Sequence, residues 1–117
     1  MARVAKLALF GLMVAATAAP AADVQGVIVD WNCAKPMLQD GRAKVLRNNA
    51  NCSLGANYSR AAYGLITVDK KLYKLDDAGR AWALKLLKDT PDKNNLKVVV
   101  TGDIDGETLH VKNMSEL

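Results

Sequence analysis

The sequence predicts a small, mainly β domain with five strands and one helix in the order β-β-β-α-β-β. Three observations support this prediction: β-rich runs that alternate apolar and polar residues, short turns between those runs, and helical periodicity between the third and fourth run. A leader-like segment precedes the domain. Residues 22–117, which are 96 of the 117 residues, can form one domain with a modest core.

The first strand is predicted at residues 24–31, where Val27 and Val29 alternate with Ile28 and Asp30. The segment that follows, residues 32–62, is interrupted by Pro, Gly and Asn residues throughout. Such residues are typical of loops. We therefore expect a long loop with one short helix around residues 41–47.

Two further β-rich runs, residues 63–68 and 71–75, are separated only by Asp69 and Lys70. Runs with a two-residue spacer predict a tight hairpin. The spacer lacks the glycine that such turns favour, so the turn type stays open.

A helix is predicted from Asp76-Asp77 to Thr90. Asp is a good N-cap, and its charge suits the positive end of the helix dipole. Thr90 precedes Pro91, which disfavours helical conformation in the residue before it. The stripe expected to face the core consists of Ala78, Ala81, Trp82, Leu84, Leu86 and Leu87.

The last two strands are predicted at residues 96–102 and 107–114, joined by the four-residue loop 103–106. Gly106 suits the positive φ that such loops need. Leu109 and Val111 alternate with polar residues, and His110 falls on the solvent-facing side. The order β-β-β-α-β-β matches an OB-like barrel, which would close the sheet edges. An open five-stranded sheet packed on one helix fits the same order.

Residues 1–21 have the three-part pattern of a secretory signal peptide. Arg3 and Lys6 are followed by an apolar run and then by small residues, with an A-x-A cleavage site at residues 19–21. Cleavage near Ala21 or Ala22 would release a periplasmic or secreted protein. The apolar run is too short for a span of roughly 30 Å of hydrocarbon, so we expect no stable membrane insertion.

Cys33 and Cys52 are the only cysteines, and both follow the leader. In an oxidising compartment they predict one disulfide, which would close the loop between strands 1 and 2. The chain-entropy model gives such a loop roughly 3 kcal/mol of stabilisation. Free thiols and a metal site are the alternatives. A metal site needs more ligands, and the single histidine, His110, is distant in sequence.

Charge argues against a nucleic-acid partner. The whole chain has a net charge of +4, but the domain without the leader has 14 Lys and Arg against 12 Asp and Glu, or +2. Such a mixed surface is not typical of a protein that binds polyanions over its whole surface. The cations concentrate locally in the cysteine-bounded loop, at Lys35, Arg42, Lys44 and Arg47. They either form a solvated face or contact an anionic surface.

No residue pattern predicts a catalytic group, a metal site or a cofactor. The carboxylates of residues 103–107 lack the length and flanking helices of a calcium loop, and His110 accompanies no nucleophile motif. The candidate binding face comprises Trp31, Lys44 and Tyr58. Aromatic side chains beside a cation could hold a ligand, as in some OB domains.

The domain resembles a group of small exported bacterial proteins of unknown function with an OB-like fold. The resemblance rests on a G-x-x-x-D-x-x-C start at Gly26 to Cys33, on Cys52, and on a closing V-T-G-x-x-x-G-x-T-x-x-V hairpin from Val100. It implies a small β-barrel and no particular activity. A further cysteine often found in the group is replaced here by Tyr58.

Three functions are compatible with these residues. The first is a non-enzymatic binding module of the bacterial envelope whose partner is an envelope protein or an anionic polymer. The second is an envelope stress or stability factor with no small-molecule site. The third is a small hydrolase or redox protein, which the missing C-x-x-C and nucleophile motifs disfavour.

Overall fold

The β-rich runs form five strands that close into a barrel. The structure is a computed structural model that describes residues 22–49, residue 52 and residues 58–117. The expected signal peptide lies outside the described residues. The strands are β1 (Ala22–Asp30), β2 (Tyr63–Thr67), β3 (Leu72–Leu75), β4 (Lys97–Asp105) and β5 (Thr108–Glu116). The helices are α1 (Trp31–Met37), α2 (Arg42–Arg47) and α3 (Asp77–Asp89).

Strand pairing confirms the closed OB-like barrel over the open sheet. Around the barrel the order is β1-β2-β3-β5-β4, and β4 returns to β1. The long strand β1 makes closure possible because it pairs antiparallel with β2 through Gly26–Asp30 and with β4 through Ala22–Val27. The seam between β3 and β5 is parallel, with Lys74 opposite Thr108 and Leu75 opposite Leu109.

The barrel interior is the main core. It is lined by alternate apolar side chains of all five strands and is covered on one side by α3. Gly79 allows this close packing, since a Cβ at that position would lie 2.5 Å from Cγ2 of Val111 and 2.9 Å from Cβ of Leu75. The largest fully buried side chains of this core are Ile28, Tyr63, Leu65, Leu87, Leu96, Val98, Leu109 and Met114.

The predicted stripe of α3 was partly wrong. Ala78 and Ala81 are exposed, whereas Trp82, Leu84 and Leu86 are half-buried and pack against the core as expected. The fully buried residues are Gly79, Ala83 and Leu87. The difference arises because Gly79 and Ala83 lie on the most deeply buried face of the helix, and the apolar pattern alone does not favour such small residues.

The two hairpins also differ in detail from the predictions. The turn after β2 includes Val68, and Lys70 adopts a positive φ of 69° in place of a glycine. Between β4 and β5 the strands pair as far as Asp105 and Thr108, so the loop has two residues, not four. Gly106 has the expected positive φ, 62°. The carboxylates of residues 103–105 thus lie on a strand rather than in a loop.

Candidate functional site

The segment that follows β1 begins with α1, where the sequence predicted a strand end and a loop, whereas α2 confirms the short helix expected around residues 41–47. Trp31 begins α1 instead of ending β1. The reason is Asp30, which is buried and whose Oδ1 accepts a hydrogen bond from the backbone N–H of Cys33 at 3.1 Å. This is an N-cap, which satisfies a free donor at the helix start. The D-x-x-C spacing therefore positions Cys33 in the first turn of α1.

A disulfide joins Cys33 to Cys52, which confirms the predicted cross-link. The two Cα atoms are 6.1 Å apart, within the ordinary range for disulfides. A second anchor lies nearby at Asn49, which is buried. Its side-chain amide donates to the backbone carbonyls of Ile28, at 3.3 Å, and Asn94, at 3.1 Å. The segment is thus fixed to β1 and to the approach to β4.

Residues 31–49, which we call the cap, cover part of the outside of the barrel. Strand β1 turns Ile28 into the barrel and Val27 and Val29 outward, so both of its faces are buried. The outward valines form a second hydrophobic cluster with two cap residues and two residues of the β2–β3 hairpin: Ala34, Val45, Ile66 and Leu72. OB domains bind ligands on the strand 2–3 face. Here the chain's own cap occupies that region.

Trp31, one residue of the predicted binding face, packs on the barrel and is half-buried. A Cβ placed on Gly64 would lie 3.3 Å from Cε3 of its ring. The ammonium of Lys35 lies 5.2 Å from the ring centroid and pairs with Glu107 in the β4–β5 turn. These contacts give Trp31 a structural role in holding α1 against the barrel.

The other two residues of that face are described to different extents. Lys44 is half-exposed and pairs with Asp40, four residues earlier in the 3-10 turn that precedes α2, with an N–O distance of 3.1 Å. Tyr58 begins a short 3-10 helix, Tyr58–Arg60, but its side chain lies outside the described part of the molecule. The candidate face of Trp31, Lys44 and Tyr58 therefore stays a prediction.

A pocket of about 430 Å³ lies between α2 and the barrel. Arg42 and Leu46 line it from α2, Val68 from the β2–β3 turn, and Lys97 from the start of β4. The Nε–H group of Arg42 donates to the backbone carbonyl of Thr67 at 2.8 Å, which fixes the guanidinium at the pocket. This volume is within the range of small-molecule sites, roughly 300–1,000 Å³.

A shallower depression of about 350 Å³ adjoins that pocket on the β2–β3 side. It contains Asp69, whose pKa is lowered because the Thr67 hydroxyl donates a hydrogen bond to its carboxylate. Lys71, whose Nζ is 3.9 Å from Oδ2 of Asp69, acts in the same direction. The depression carries charges of both signs.

His110 lies on the solvent-facing side of β5, as predicted, with about half of its side chain exposed. Nδ1 is 3.5 Å from Oδ2 of Asp76, and Nε2 is 3.9 Å from Oδ2 of Asp105. Within residues 22–49, 52 and 58–117, no group of three or more His, Cys, Asp or Glu side chains could hold a metal ion. Through Asp76 and Asp105, His110 connects β5 with the start of α3 and with the end of β4.

Together these features define a class: an OB-like barrel with a disulfide-linked helical cap. No family model matches the chain, and comparisons with curated proteins and with solved structures also find no match. Among the described helices, none is long and apolar enough to cross a membrane. We therefore infer function from the fold and from the charges and pockets of the described residues.

The sequence did not predict this pocket, as Val68 and Lys97 illustrate. Val68 reads as the last residue of a strand and Lys97 as a surface cation at the start of another. They are 29 positions apart in sequence, and only strand pairing around the barrel brings both to α2. The sequence identifies Arg42 as one of the cations in the cysteine-bounded loop, but no local residue pattern indicates that it lines a pocket.

Proposed function

We propose that this protein is a non-enzymatic binding module of the bacterial envelope, and that its cap binds an anionic polymer. Signal-peptide cleavage near Ala21 or Ala22 would export it to the periplasm or the medium. The disulfide supports such a location, since disulfides persist in oxidising compartments.

The distribution of charge carries the proposal. Residues 31–62, which join β1 to β2, have five Lys and Arg against a single carboxylate, that of Asp40. The remainder of residues 22–117 has nine Lys and Arg against eleven Asp and Glu. The excess of positive charge thus lies entirely in residues 31–62, and four of these five cations, Lys35, Arg42, Lys44 and Arg47, belong to the cap. A local field of one sign attracts oppositely charged partners.

The packing of α2 directs this charge outward. Val45 is fully buried against the barrel, whereas Arg47 is exposed and Lys44 is only partly covered. The disulfide and the second hydrophobic cluster hold the helix in place. A rigid binding surface loses less entropy on association than a mobile one.

Binding to a defined polymer tests the proposal. Polygalacturonate carries one carboxylate per sugar, and dextran is a neutral comparison. We expect the domain to bind polygalacturonate and not dextran, with an affinity that falls as salt rises. The double variant Lys44→Gln/Arg47→Gln should lose about fivefold in affinity, the effect of about 1 kcal/mol.

A matched control is available on α3. Lys85 and Lys88 have the same spacing and are both exposed, but they lie outside the cap. The variant Lys85→Gln/Lys88→Gln removes the same net charge. Equal losses in the two double variants, or equal binding to dextran, would reject the cap as the binding surface.

A further inference from the structure

The pocket between α2 and the barrel points to a second binding function. We infer that it binds an anionic amphiphile with a single apolar chain, such as a medium-chain carboxylate. This goes beyond the proposed function, because the pocket lies on the barrel-facing side of α2 and not on the side of Lys44 and Arg47.

Exposed apolar side chains converge on this pocket. Among the described residues, three large hydrophobic side chains are exposed: Val68 at 78%, Leu117 at 63% and Ile104 at 45%. The two most exposed, Val68 and Leu117, both line the pocket, and Leu46 adds apolar surface from α2. Scattered exposed residues are ordinary, but a concentration at a concave site favours ligand binding.

The charged side chains that line the pocket have one sign. Arg42 and Lys97 line it, and its lining includes no carboxylate side chain. Within the described part of the chain, Arg42 makes its hydrogen bond through Nε, and Lys97 forms no ion pair with a side-chain carboxylate. Gln25 and Asn95 add polar side chains at the rim. The other guanidinium N–H groups and the ammonium can therefore donate to an anionic head group.

This combination selects the chemistry of the ligand. A purely polar anion would leave Val68 and Leu46 in contact with water, and a neutral lipid would leave both cations without a partner. An anionic head with an apolar chain satisfies both sets of residues. The pocket volume of about 430 Å³ suits a small molecule rather than a folded partner.

The test compares three probes by NMR titration and calorimetry: octanoate, octanol with a similar chain and no charge, and acetate with the head group alone. We expect octanoate to bind at least about tenfold more tightly than either comparison compound. The amide shifts should concentrate at Gln25, Val68 and Asn95. Octanoate binding no tighter than that of octanol or acetate would overturn the inference.

Variants with matched controls locate the site. Lys97→Gln should weaken octanoate binding about fivefold, whereas Lys88→Gln on α3 should not change it. Val68→Asp should weaken it at least about tenfold, and Ile104→Asp, which alters an exposed side chain elsewhere, should not. Because all four residues are exposed, each variant should fold, and its melting curve verifies this.

Equal effects in test and control variants would overturn the inference. So would binding to vesicles of anionic phospholipid without binding to octanoate, since that result would indicate a surface site. These outcomes are independent of the cap proposal, which depends on Lys44 and Arg47 and on a polymer.

Discussion

Nδ1 of His110 lies 3.5 Å from Oδ2 of Asp76, so a strand residue contacts the residue that caps α3. Oδ1 of the same carboxylate accepts hydrogen bonds from the backbone N–H groups of Gly79, at 2.8 Å, and Val111, at 3.2 Å. Asp76 thus connects the start of α3 with β5. A single side chain holds the helix at the point where Gly79 allows it to approach the barrel.

Replacing Asp76 should therefore cost more than an ordinary cap. We expect Asp76→Ala to lower the free energy of unfolding by about 2 kcal/mol, since it removes a helix cap and leaves the Val111 N–H unpaired. Urea unfolding measures the change. Asp77→Ala, at the adjacent exposed position, should stay within about 0.5 kcal/mol of the parent. Similar losses at both positions would contradict the linking role of Asp76.

In the turn after β2, Lys70 adopts a strained backbone conformation that a glycine would relieve. Lys70 has a φ of 69°, a conformation that costs a side chain roughly 1–2 kcal/mol and costs glycine little. We expect Lys70→Gly to raise the free energy of unfolding by about 0.5–1 kcal/mol after the extra chain entropy of glycine is counted. Lys70→Ala keeps the strain and should give no such gain. A gain of equal size in both variants would indicate a charge effect instead.

The pKa of Asp69 provides a pH test of the same turn. Its pKa is below the ordinary value of 3.8, first because of the hydrogen bond from the Thr67 hydroxyl. Thr67→Val should raise the pKa towards the ordinary value, and Thr67→Ser should keep it low. Carboxyl carbon shifts in an acid titration measure it. A low pKa in the valine variant would assign the shift to the backbone hydrogen bond at Asp69 and to Lys71 instead.

The lowered pKa of Asp69 determines how the free energy of unfolding changes with pH. A lowered pKa in the folded state means that the ionised carboxylate favours folding above the ordinary pKa. That contribution is lost as the pH falls through the folded-state pKa. The valine variant should therefore show a weaker dependence of unfolding on pH in this acid range. A stronger dependence would contradict the hydrogen-bond explanation.

The barrel could be predicted from sequence because its determinants are local. Alternating runs marked the strands, Asp76 marked the start of α3, and the order of elements favoured an OB-like barrel, whereas the choice between that barrel and an open sheet required the strand pairing. The disulfide followed from the cysteine count and the leader. Each of these depends on residues that are close in sequence or few in number.

Of the cap, the sequence predicted α2, as the short helix around residues 41–47, but it did not predict α1. Pro36 reads as a loop residue, yet it lies inside α1 one position before the helix ends at Met37. Asp30 reads as the polar phase of a strand, yet it caps that helix. Contacts with the barrel surface account for the helical conformation around Pro36 and for the capping role of Asp30, since the apolar residues of the cap are buried against outward-facing valines of β1. Tertiary packing here outweighs local propensity.

The disulfide should stabilise the cap more than the barrel. We expect Cys33→Ser/Cys52→Ser to lower the free energy of unfolding by about 3 kcal/mol, because the unfolded chain gains the freedom of the opened loop. The second hydrophobic cluster and Asn49 would still hold α2 on the barrel, so the fold should persist. Hydrogen exchange should show faster opening of the cap amides, such as that of Val45, than of the barrel amides.

A control variant and a binding measurement test this expectation. Ser59→Ala, at an exposed position before β2, leaves the cross-link intact and should stay within about 0.5 kcal/mol of the parent. The affinity of the Cys33→Ser/Cys52→Ser variant for polygalacturonate then shows how much the rigidity of the cap contributes to binding. This variant keeps every cation of the cap, so its charge is unchanged. Affinity should fall, since a mobile cap must be ordered on binding. Uniform acceleration of exchange across cap and barrel would show instead that the cross-link stabilises the whole domain and that the cap is not a separate unit.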